Sequence, residues 1–255
     1  MIPAIAKPIR ALILTMTALV VISLIYASLH YRKENRSVDP RVAVARKLYE
    51  GYNHLAAQND FARVIGLLDS IEGIYHRYPH YYNSFETGVL ENNRAVVYLT
   101  IALSYDSISS PFHHLGPDSL MGLGEAAVRN SIYIYERWMA GYSDKNDKEI
   151  SDYIKESFIE GLPGSSADEI AYLKNRVEEI RVAKKETPRR LSVSYTNLGI
   201  VYRYREDYHS AAACYQKAFE LWEDNLSAEN NLNILLGRPI RKRNFIQKMF
   251  PKPKN

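Results

Sequence analysis

SVSYTNLGIVYRYREDYHSAAACYQKAFELWEDN, residues 192–225, decides the fold. Large side chains stand at Tyr195, Leu198, Tyr202, Tyr208 and Tyr215, and small ones at Gly199, Ala211 and Ala218. Spaced by three, four or seven residues, they divide into two helical segments around a turn. Gly199 and Ala211 stand where two helices can cross with their backbones close together. The tyrosines and Leu198 fill the seam between those helices and whatever follows.

Working outward, the same arrangement recurs in weaker form. Moved back by 147 residues, the eight key positions fall on Leu48, Gly51, Tyr52, Leu55, Phe61, Val64, Leu68 and Ile71. This predicts a first hairpin, with a helix from Asp39-Pro40 to about Gln58 and a second from Phe61 to about Tyr78. Moved back by 104 residues, Asn197–Tyr202 falls on Asn93–Tyr98, with Ala95 in the small position. Its partner helix is expected over about Ser119 to Ala140, where Ser131 and Tyr135 echo Ala211 and Tyr215. Residues 107–118, with Pro111, Gly116 and Pro117, read as an insertion between these two helices.

A further pair is expected between these hairpins. One short helix carries Ile150, Tyr153, Ile154, Ser157 and Phe158 on one face. A longer one, from Ala167 to Glu186, carries Ile170, Leu173, Val177 and Ile180. Thr187-Pro188 reads as a cap and first-turn proline that opens the helix of the clearest repeat. Ser227 is the expected cap of a last helix over Ala228–Leu236, ended by Gly237 and Pro239.

The 34-residue length and the paired small and large positions of 192–225 resemble a tetratricopeptide (TPR) repeat. Tyrosine replaces the pattern's Trp and Phe, and its closing Pro is missing. The expected fold class is all-α, a TPR-like helical-hairpin solenoid over 40–237. The resemblance implies a concave groove lined by the first helix of each hairpin, holding a peptide or a protein partner. It points to Asn197, just before the Leu198-Gly199 pair, and to its counterpart Asn93. Val193, Thr196, Ile200 and Arg203 share that face. The family's paired basic clamp is incomplete, because no Lys stands beside Asn93.

At the N terminus, residues 1–10 are short and basic, and Ala11 to Leu29 is a 19-residue run without a charge. At 1.5 Å per residue such a helix nearly matches a bilayer core of about 30 Å. A transmembrane anchor over 11–30 is therefore expected, followed by a linker over 31–39. A cleaved signal peptide is the rival, giving an exported soluble protein, but Ile25 or Tyr26 would sit at the −3 position, where a small residue is needed. Six Lys or Arg between Arg32 and Lys47 outnumber Lys7 and Arg10 across the span, favouring a cytoplasmic domain. Seven of the chain's basic residues lie in the tail, 238–255, among Phe245, Ile246, Met249 and Phe250. That tail suits an anionic lipid surface. Nucleic acid is not the expected partner, since no basic stripe elsewhere extends a footprint.

Composition agrees with a packed globular domain: 46% hydrophobic residues, 24% charged and 20 tyrosines. The single cysteine, Cys214, forbids an intrachain disulfide and reads as a core residue. No nucleophile elbow, phosphate loop or zinc-protease helix is present. Catalytic residues, metal ligands and cofactors are accordingly not expected, and His113-His114 read as a solvated loop.

Overall fold

The computed structural model describes residues 38–105 and 112–242. The expected anchor at 11–30, most of the basic tail and part of the insertion lie outside the described residues. Among the described residues no helix is long and apolar enough to cross a membrane. All regular structure there is helical: α1 (Ala43–Glu50), α2 (Tyr52–Ala57), α3 (Phe61–Tyr75), α4 (Pro79–Tyr82), α5 (Phe85–Leu103), α6 (Pro117–Tyr142), α7 (Asp147–Ile159), α8 (Ser166–Tyr204), α9 (Tyr208–Leu221) and α10 (Leu226–Leu235). Three hairpins, α1–α3, α5–α6 and α8–α9, pack in chain order, with α5 against both α3 and α8 and with α10 on α9.

The 147-residue offset reappears as geometry. Asn59 and Glu206 both take left-handed backbone, φ 55° and 61°. After each, the next N–H reaches back over the turn, from Asp60 to the Leu55 carbonyl (3.1 Å) and from Asp207 to that of Tyr202 (3.0 Å). Both aspartates then cap the following helix, Asp60 accepting from the Arg63 N–H and Asp207 from that of Ser210. A carboxylate there satisfies a helix N–H that would otherwise lack a partner.

Small residues set the crossings. A Cβ at Gly199 would run into the Tyr215 ring. In the α5–α6 hairpin the ring of Tyr135 lies over Gly88, where a Cβ would meet it at 2.6 Å. The sequence assigns that small position to Ala95, two turns later. Ala95 is fully buried, in a cluster with Ala127 and Val128. Gly124 makes a second close crossing, with a Cβ there 2.7 Å from Leu99 Cδ2.

Other local expectations differ from the structure as well: the expected helix from Asp39-Pro40 to about Gln58 is interrupted at Gly51. Pro188 opens no helix, because α8 runs through it for 39 residues, roughly 58 Å. An interior proline removes one backbone donor and costs about 3 kcal/mol. The buried line Ile180, Ala183, Thr187 and Leu191 continues across it and holds the helix together. Ile170, expected on the buried face, is 68% exposed, and Tyr153 is exposed as well. Asp39 does not cap α1 through its side chain. Its carboxylate, buried, accepts from the Arg41 guanidinium and from the Tyr81 hydroxyl (3.0 Å).

The first half of α8 is fastened by buried charge. Arg176, 1% exposed, donates to Glu86 (2.5 Å), to Glu179 (3.1 Å) and to His80 Nε2 (2.9 Å), with its guanidinium over the rings of Tyr81 and Phe85. Burial, reinforced by Arg176 and Arg41, pushes the His80 pKa down to about 2, so its ring is neutral and can accept. Glu179 also accepts both terminal nitrogens of Arg46 on α1. Arg41 donates to the Phe158 and Glu160 carbonyls at the end of α7. These links tie Arg41 and Arg46 to segments 117–133 residues later.

Two outcomes are expected. Gly199→Ala should lower unfolding stability by about 1–3 kcal/mol through overpacking. Tyr215→Phe should cost nothing or stabilise, because the buried Tyr215 hydroxyl has no partner. Urea unfolding of both variants checks the pair. For Glu179, burial raises the pKa, but hydrogen bonds and charge from Arg46 and Arg176 outweigh it and leave it below the ordinary 4.5. Its contribution is fully present above that pH and is lost as pH falls through the lowered value. Urea midpoints between pH 7 and 3 should fall on acidification. Glu179→Gln should be less stable at pH 7, by about 3–5 kcal/mol, with a shallower acid dependence.

Candidate groove at the C-terminal hairpin

The second half of α8 presents Val193, Thr196, Asn197 and Ile200 on one face, at spacings of three and four residues. Opposite them the chain leaves α9 through an extended Trp222 and turns into α10. Trp222, Asp224, Asn225, Leu226, Ser227 and Asn231 form the second wall of an open hollow of about 290 Å³.

Asn225 builds this corner. Its side-chain oxygen accepts from the Ala228 N–H and caps α10 (3.0 Å). Its amide donates to Ser192 Oγ (2.7 Å) and Thr196 Oγ1 (3.0 Å) on α8. Ser192 in turn donates to the Ala218 carbonyl of α9 (2.6 Å). One buried carboxamide therefore joins three helices with its donors and acceptor used. The cap is Asn225 and not the expected Ser227, and α10 starts two residues earlier than the sequence suggests. An Asn can cap and still donate across the seam, which a serine hydroxyl does less well.

Four of the six groove candidates thus line one hollow. Thr196 is buried and committed to the Asn225 network, so it shapes the floor. Asn197, half-buried, donates to Asn92 Oδ1 (3.0 Å), which also accepts from Ser194 Oγ (3.1 Å). Arg203 does not line the hollow; it donates to Asn231, which does (3.0 Å). Asn93 does not join this group: its amide donates to the Tyr49 hydroxyl (2.9 Å), and Tyr49 stacks on Tyr52. Its neighbour Asn92 is the residue that meets Asn197, because successive residues on a helix point about 100° apart.

The polar groups lining the hollow are amides, hydroxyls and the Asp224 carboxylate, suited to holding a backbone or a side chain by hydrogen bonds. Arg189 stands over the Trp222 ring at 4.9 Å and pairs with Glu186 at 3.5 Å. Burial pushes the Cys214 thiol up to about 11, which keeps it protonated and unreactive. No group of three or more His, Cys, Asp or Glu that could hold a metal occurs among the described residues.

Compared with models of protein families, with curated proteins and with solved structures, the chain matches none.

Asn225→Ala should cost about 1–3 kcal/mol through loss of the cap and of two buried hydrogen bonds. Hydrogen exchange should quicken first in α10, with α1–α3 unchanged.

Proposed function

We propose that this chain is a membrane-anchored, TPR-like scaffold that holds an extended segment of a partner protein in the concave face of its helical hairpins. The carrying observation is the hollow in which Val193, Thr196, Asn197 and Ile200 face the start of α10. At about 290 Å³ and open, it suits one or two side chains of an extended segment, with Asn197 on its wall. The recurrence of one turn geometry at Asn59 and Glu206 supports the repeat reading. The anchor at 11–29 and a cytoplasmic domain rest on the uncharged run and the flanking basic residues. The chain is read as non-catalytic, needing no cofactor.

A photo-crosslinking residue placed at Ile200 in native membranes should give a protein adduct, and the same residue at exposed Tyr153 on α7 should not. Intact mass of the same membrane-derived chain should include residues 1–30. Equal labelling at both positions would remove the groove, and a mature chain starting near Ser28 would replace the anchor with export.

A further inference from the structure

Phe85, at the start of α5, has two guanidinium groups near its ring. Arg176 lies 5.3 Å from its ring centroid and Arg190 lies 5.4 Å from it. The two cations are served very differently. Arg176 is matched by Glu86 and Glu179 and by the His80 ring. Arg190 makes no ion pair with any carboxylate among the described residues, and its Nη1 is buried without a hydrogen-bond partner. Aromatic side chains take up the space around it. Its charge opposes the burial that raises the phenols of Tyr49 and Tyr135, which places both tyrosines within its field.

Arg190 as a whole is half-buried, but a guanidinium nitrogen buried without a partner is costly. Native structures seldom keep one unless something binds it. Position matters as much as cost. Arg190, Val193, Asn197 and Ile200 stand at i, i+3, i+7 and i+10 on α8, and the last three line the hollow. Arg190 is therefore the next residue along the same helix face, one turn below the hollow. Guanidinium presents a planar fork of donors that matches a carboxylate.

We propose that Arg190 reads an acidic side chain of the segment held in the groove, so that the partner carries an Asp or Glu about one helical turn's length from the residue seated in the hollow. The inference rests on the groove reading above and adds the charge of its ligand. The aromatic floor of Phe85 orients the guanidinium, and its unused N–H groups supply the bonds. With the carboxylate in place, the Arg190 site acquires the counter-charge that Arg176 already has.

The test is an array of random 12-residue peptides probed with the full chain in detergent micelles. Bound peptides should be enriched in Asp and Glu. Arg190→Met should bind those acidic peptides about tenfold more weakly or worse, the scale of a lost charged hydrogen bond. Arg190→Lys, which keeps the charge without the fork, should retain part of the binding. Neutral peptides should bind wild type and Arg190→Met alike. Arg190→Met should melt no lower than wild type, since Met keeps the packing on Phe85 and removes an unpaired charge. Peptides bound without acidic enrichment, or bound equally by Arg190→Met, would overturn the role of Arg190 and leave the groove standing. An array on which the chain binds nothing would overturn both.

Discussion

The buried guanidinium of Arg176 is the constraint on which the arrangement of α8 depends. Taking a cation out of water costs several kcal/mol, and only dense pairing repays it. Here the pairing comes from separate parts of the chain: Glu86 at the start of α5, His80 in α4 and Glu179 one turn along α8 itself. Glu179 passes the connection on to Arg46 of α1. The first half of α8 therefore has one seat at which all these charges are satisfied. With that half fixed, the helix carries its second half, and the groove wall on it, into place beside α5.

Within the second half a different chemistry takes over. Ser192, Ser194, Thr196, Asn92, Asn197 and Asn225 form small neutral hydrogen-bonded links between α5, α8, α9 and α10. Such links hold helices in register without the desolvation cost of ions. The ionic clamp and the amide seam lie at opposite ends of one helix, and Pro188 stands between them.

Much of the helical framework can be read from spacing alone. The turns at 59–60 and 206–207 follow from a shared offset, because the same backbone path needs a left-handed residue and then a cap. Ile150, Ile154 and Phe158 are buried as their period implies. The failures have physical causes. Pro188 signals a boundary, yet the buried line on either side of it outweighs the local preference. Gly88 rather than Ala95 meets Tyr135, because both are small and spacing alone does not choose between two small residues two turns apart. The second wall of the hollow escapes a repeat-based reading, since Trp222, Leu226 and Asn231 follow the repeat's second helix. Arg176 and Glu86 are not legible at all as partners. They are 90 residues apart, and no local pattern marks a charged residue for burial.

The length of α8 also bears on how the protein comes apart. In an array of separate hairpins each unit meets only its neighbours, and units can open from an end one at a time. A helix that serves two hairpins removes that freedom. To release α9 and α10, the second half of α8 can fray, but only up to the point where Leu191, Thr187 and Ala183 enter the continuous buried line. Beyond it, opening must also strip the clamp from α1, α4 and α5. The molecule therefore has two cooperative tiers: a C-terminal tier that opens locally, and a larger one that opens only as a whole. The hollow lies in the first tier, where a bound segment would raise local stability without having to hold the entire chain.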